Sequence, residues 1–136
     1  AGVGATKLQS LTIAAKVRDR GTGPAPELWR GREWRMIVVR RTEPGEAEVH
    51  AAEDDLFVVR AGRAAVRVGG TLRDDRVTGS GERRGGVLSG GEVVSLMPGD
   101  HLLIPAGVPH QVRPTGTRAV EYLVIKSAAS APGGVR

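Results

Sequence analysis

Between Trp34 and Lys126 the apolar residues come in short runs, and most of these runs stop at a glycine or proline. WRMIVVRR at 34–41, DLFVVRAG at 55–62, RAAVRVGG at 63–70, EVVSLMPGD at 92–100, HLLIPAG at 101–107 and RAVEYLVIK at 118–126 each have strand length and β-branched content. In 63–70 the alternation predicts Ala64, Val66 and Val68 inward and Arg63, Ala65 and Arg67 outward. In 101–105 it predicts Leu102 and Ile104 in the core, with His101 and Leu103 turned toward solvent or a partner subunit. Short strands with turn signals at close spacing predict an all-β sandwich or barrel. No strand–helix alternation accompanies them, which excludes Rossmann and P-loop readings.

The flanks read differently. From Thr6 to Arg18, Leu8, Leu11 and Ala15, with Ile13 and Val17 on the flank, fit a short amphipathic helix ended by GTGPAP at 21–26. Residues 69–91 are glycine-rich and nearly free of apolar content, which predicts a long loop beside the domain. The small, polar stretch from Ser127 predicts a flexible tail. The division expected is therefore 1–33 helix and extended arm, 34–126 barrel, and 127–136 tail.

Composition removes several chemistries. The 136 residues include no cysteine, so a disulfide framework, a thiolate zinc site, an iron–sulfur cluster and a cysteine nucleophile are excluded. The net charge of +5 is spread along the chain and interleaved with acids at Asp54–Asp55 and Asp74–Asp75, and aromatics make up 3% of the residues. Neither feature suits a nucleic-acid surface, so no nucleic-acid partner is expected. No apolar run approaches the roughly 20 residues that span a bilayer, and AGVGATKLQS lacks a signal pattern. The expectation is a soluble cytoplasmic chain with no membrane partner. Export after leader cleavage is the other reading, because the sequence starts at Ala1.

Chemistry can come from few places. Glu48 and His50 are two apart on an extended stretch and so share a face, and a short connection at 51–54 can return Asp55 to His50. His110 follows a turn stiffened by Pro105 and Pro109, which pre-orients the imidazole for a metal or for proton transfer. Trp29 and Trp34 read as packing or interface residues, and His101 as structural.

These positions resemble the cupin superfamily. Its second motif, G-x5-P-x-G-x2-H, is matched by Gly99, Pro105, Gly107 and His110. Its first, H-x-H-x4-E-x6-G, is matched by His50 and Gly62, with Glu48 at the first histidine position and Asp55 at the glutamate. Pro114 stands where the family carries an asparagine. The resemblance implies a small single-domain cupin, a double-stranded β-helix or small β-barrel, in which Glu48, His50, Asp55 and His110 converge on one divalent transition metal: iron, manganese, nickel or zinc.

Under that resemblance Glu48 either ligates, acts as the catalytic general base, or pairs with an arginine and takes no part. The expected function is a metal-dependent oxygenase acting on a small organic molecule; the alternatives are an isomerase or lyase, or a non-catalytic small-molecule binder. Arg40, Arg60 or Arg67 would bind a substrate carboxylate if turned inward, and Tyr122 occupies a place from which metal-free epimerases of the superfamily supply an acid. A homodimer is expected through the outward apolar residues Leu56, Val58 and Leu103.

Overall fold

Alternation runs the full length of the two longest strands, and it decides what the inside of the molecule contains. The computed structural model describes residues 4–19 and 24–129. Its elements are α1 (Ser10–Asp19), β1 (Glu27–Arg30), β2 (Trp34–Arg41), β3 (Glu48–His50), β4 (Glu53–Ala61), β5 (Arg63–Val68), β6 (Thr71–Arg73), β7 (Arg76–Gly79), β8 (Glu82–Arg84), β9 (Val87–Ser89), β10 (Glu92–Leu96), β11 (His101–Ile104), β12 (His110–Thr115) and β13 (Val120–Ala128). One five-stranded sheet has the order β1-β2-β13-β4-β11 and one six-stranded sheet the order β10-β5-β12-β3-β8-β7, with β6 and β9 as a separate ribbon. Every strand pair is antiparallel.

The core lies between the two large sheets. Val39, Phe57, Val59, Ile104, Val120, Tyr122 and Val124 come from the first, and Ala64, Val66, Leu96 and Val112 from the second. The alternation expected for 101–105 holds, with Ile104 buried and His101 and Leu103 exposed; in 63–70 Ala64 and Val66 are buried with Val68 packed against them, but Ala65, expected outward, is buried as well. The β4–β5 hairpin turns at Gly62, whose φ of +72° and whose missing Cβ, 2.0 Å from the Ala119 carbonyl oxygen, leave room for no other residue.

Four expectations need correction. The stretch 69–91 is not a loop, since it holds β6, β7, β8 and β9, and β8 extends the six-stranded sheet by pairing with β3. Its strands were hidden because they are three or four residues long and β7 is exposed at every position, so no burial alternation marks them. The helix starts at Ser10 rather than Thr6 and buries Ile13 and Val17, while Leu8 and Leu11 are exposed. Ile13 and Val17, one turn apart, seat on Val38, Leu28 and Leu123 on the outer side of the first sheet. Within the expected arm, Glu27–Arg30 is a strand paired with β2. At the other end Ser127 and Ala128 continue β13, and the rest of the expected tail, from 130 on, lies outside the described residues, as do 21–23 of the expected helix stop. No helix among the described residues is long and apolar enough to cross a membrane.

Candidate metal centre

At one end of the core the inward positions change from apolar to charged. On β4 the buried series Val59, Phe57 ends at Asp55, and on β13 the series Val120, Tyr122, Val124 ends at Lys126. Register places Lys126 directly opposite Asp55. From the other sheet, Glu48 on β3 lies opposite His110 on β12 and also opposite Arg84 on β8, while His50 lies opposite Glu82. Cross-strand pairing therefore assembles the whole cluster, because partners opposite one another hold their Cβ atoms about 5 Å apart.

The four residues singled out from the sequence meet at this point. Glu48, His50 and His110 each direct a donor atom into one group whose members lie within 4.8 Å of one another. Glu48 Oε2 is 3.2 Å from His50 Nε2 and 3.7 Å from His110 Nε2, spacings that two donors on a common ion span, roughly 3–4 Å for bonds near 2.1 Å. Asp55 Oδ2 stands 3.4 Å from His50 Nε2 and 3.8 Å from His110 Nε2. The imidazole centroids are 5.2 Å apart. Gly107 N–H donates to the His50 carbonyl at 2.8 Å, so the turn before His110 is tied to the strand that carries His50.

Both imidazoles are oriented from behind. The His50 Nδ1–H donates to the Glu82 carboxylate, and the His110 Nδ1–H donates to the Val108 carbonyl oxygen at 3.1 Å. Each arrangement fixes the tautomer and leaves the Nε2 lone pair pointing into the cluster, as outer partners of metal-bound histidines do. His110 Nε2 is buried and has no hydrogen-bond partner among the described residues. An orphaned buried acceptor of this kind costs about 1–3 kcal/mol. A cation at that point would satisfy it, so the donor set fits a divalent transition metal.

Charge is distributed unevenly around the donors. Burial alone would raise the Glu48 carboxyl, but its contacts with His110 and His50 and the charge of Arg84 hold it far below the usual carboxylate range. Burial pulls His50 down, yet Glu48, Asp55 and Glu82 outweigh it and leave the imidazole above its ordinary value. Lys126, which the sequence reading overlooked, donates from Nζ to Asp55 Oδ1 at 2.8 Å and lies 3.4 Å from His50 Nε2. Its signal was present, since it continues the parity of Val120, Tyr122 and Val124.

A cavity of about 370 Å³ opens onto the cluster. Glu48, Asp55, His110 and Lys126 line one part, and Ile37, Val39, Phe57, Val112 and Val124 supply an apolar wall. The arginines at this cavity are Arg41 and Arg84. Arg40, Arg60 and Arg67 are not among them: Arg40 is exposed, Arg60 binds Ser10 and Glu121, and Arg67 donates to the Gly90 carbonyl. Arg41 follows the inward parity of Ile37 and Val39, and that parity could have identified it. Arg84 could not be found that way, because its strand was invisible. Trp29 and Trp34 stack on each other, with centroids 4.0 Å apart, and do not line this cavity.

No family model and no curated protein matches the sequence. Solved structures do match the fold. A Bacillus halodurans protein is 21% identical over 98% of this chain and 89% of its own, with a TM-score of 0.65. A Klebsiella pneumoniae protein with a double-stranded β-helix domain is 15% identical over 93% of this chain and 100% of its own, with a TM-score of 0.65. A cupin-2 domain protein of Shewanella frigidimarina is 17% identical over 76% of this chain and 79% of its own, with a TM-score of 0.52. Two antiparallel sheets packed on one core are shared in architecture with these structures: the chain has the cupin fold, a double-stranded β-helix.

Proposed function

We propose that this chain is a metal-binding cupin acting on a small organic molecule, most simply as a metal-dependent oxygenase. The observation that carries the reading is His110 Nε2, buried, without a hydrogen-bond partner among the described residues, and aimed at the point that His50 Nε2 and Glu48 Oε2 also face. Glu48, His50 and His110 would hold the ion, and Asp55, through the Oδ2 not engaged by Lys126, stands as a fourth donor. Two imidazoles with carboxylate oxygen suit iron, manganese, nickel or zinc, and such an ion supplies Lewis acidity or, where it is redox-active, dioxygen chemistry.

The chain's own residues supply the rest. Glu82 and the Val108 carbonyl hold the imidazoles in the tautomer that presents Nε2. A carboxylate held as low as Glu48 is a weak base at neutral pH and a good anionic ligand, so we assign it to holding the ion in preference to moving a proton. Burial keeps the Tyr122 phenol protonated, which makes it the proton donor of the cavity wall. Phe57, Val112 and Val124 limit water on the apolar side. The exposed Leu103, beside Leu56 and Val58 on paired strands, supports an interface between two copies.

One observation favours the second reading, a non-catalytic binder: the Lys126 ammonium already places a positive charge against Asp55 and His50. Elemental analysis of the purified protein separates the two. Stoichiometric transition metal that disappears in both His110→Ala and His50→Ala, with both variants still folded, is the expected result. A wild-type protein that takes up no metal on reconstitution, or variants that retain full occupancy, would refute the metal assignment.

A further inference from the structure

The charged groups around the cavity pair off, with one exception. Arg84 is engaged by Glu48, Lys126 by Asp55 at 2.8 Å, and Glu46 turns away to Arg76 at 2.9 Å. Arg41 is the lining cation with no carboxylate within ion-pair distance among the described residues. Its Nε donates to the Tyr122 hydroxyl at 3.0 Å, which fixes the guanidinium, and neither terminal nitrogen has a hydrogen-bond partner among the described residues. The tyrosine accepts that bond, so its own O–H proton remains to be donated. Three cations and three acids line the cavity, so adding a divalent ion would leave it two charges positive.

Arg41 is also seated in a place cleared for it. Gly45 is buried, and a Cβ there would lie 2.5 Å from the guanidinium carbon and 2.7 Å from a terminal nitrogen. Gly45 is pinned in turn, its N–H donating to the Val112 carbonyl and its carbonyl accepting from Gln111. From Tyr122 the aromatic wall continues to Phe57, 4.9 Å between centroids, and from Phe57 to His110, 6.0 Å. An anchored fork, a phenolic donor, an apolar wall and a donor cluster thus follow one another across a single cavity.

We propose that the cavity takes a small organic carboxylate whose acid group is held by Arg41 and Tyr122, whose apolar body lies along Phe57, Val39 and Ile37, and whose other end faces Glu48, His50 and His110. The fork geometry of arginine matches a carboxylate with two parallel hydrogen bonds, and a volume near 370 Å³ lies toward the small end of ligand sites. The carboxylate class stands on Arg41; only the role of the far end rests on the metal reading above.

The test uses paired acids and amides of equal shape, propanoate with propanamide and 3-phenylpropanoate with 3-phenylpropanamide, titrated calorimetrically into the full chain, both chelator-treated and reconstituted with nickel. At least one acid is expected to bind roughly 10- to 100-fold more tightly than its amide in both forms. Arg41→Gln should abolish that preference and leave nickel stoichiometry unchanged. Gly45→Ala, which keeps the arginine but takes its place, should cut the preference several-fold in a folded protein, and Tyr122→Phe should do so to a smaller degree. Equal binding of acid and amide, no binding of any acid, or a preference that survives both Arg41→Gln and Gly45→Ala would overturn the proposal. A preference that needs nickel and ignores Arg41 would also overturn it, because the acid would then sit on the metal. Failure of nickel to bind, with the preference intact, would overturn the metal reading alone.

Discussion

The two ends of the core are built on the same strands by the same alternation, yet they are made of opposite materials. Toward the Gly62 turn the inward residues are Val59, Ala64, Val66 and Val120, all buried and all aliphatic. Toward the other end the same strands deliver Asp55 and Lys126, and β3 and β12 deliver His50 and His110, equally buried. Burial of the first kind stabilises by roughly 1.5–3 kcal/mol for each large aliphatic side chain. Burial of the second kind is close to neutral at best and costs several kcal/mol when a partner is missing. An end that gives up this much stability is what the proposed function requires, and the two ends should respond differently to mutation.

The widest difference is expected at Lys126. Lys126→Met leaves the Asp55 carboxylate buried without its cation, and chelator-treated protein should lose about 3–5 kcal/mol in urea unfolding. The double variant Asp55→Leu/Lys126→Met should recover most of that loss. A single variant as stable as the wild type would show that the charged end is not held by this pair. Leu96→Ala, opposite Ala64 at the apolar end and 6% exposed, should cost about 2–5 kcal/mol while leaving the metal stoichiometry untouched. Loss of metal there would mean that the two ends are mechanically coupled.

The smallest effect sharpens the boundary between the ends, where Tyr122 sits. It is the only tyrosine in the chain, so its ultraviolet titration reports one group. Burial pushes the phenol above its ordinary value of 10.0, Arg41 opposes, and Glu48 and Asp55 reinforce the rise. The phenol therefore contributes stability that is complete below pH 10 and is lost as the pH climbs through its higher value in the folded protein. The absorbance change should coincide with alkaline unfolding; a normal titration in the folded protein would place Tyr122 in water and not in the cavity wall.

Much of both ends could be read from residue order. Period-two alternation located β5 and β11 and their inward residues Ala64, Val66 and Ile104, although it missed that Ala65, small and apolar on the other side of β5, is buried too. The resemblance carried by His50, Gly62, Gly99, Gly107 and His110 pointed to the candidate site, and those three glycines all have positive φ, at turns other residues rarely make. Lys126 and Arg41 were passed over because a charged residue at a strand end reads as solvated, although each keeps the parity of the buried residues before it. Glu82 and Arg84 were beyond reach. Their strand carries no apolar period, and which side chain meets His50 or Glu48 depends on a pairing between β3 and β8 that nothing in either segment announces.

That pairing joins two tasks in one short ribbon. Glu82 aims an imidazole and Arg84 neutralises a carboxylate from alternate positions of the same three-residue strand, next to the sheet edge formed by β7, and it has little apolar surface of its own. Loss of the β7–β8 pair would therefore remove both supports at once, while the core between the two large sheets, which neither strand enters, would keep its own residues.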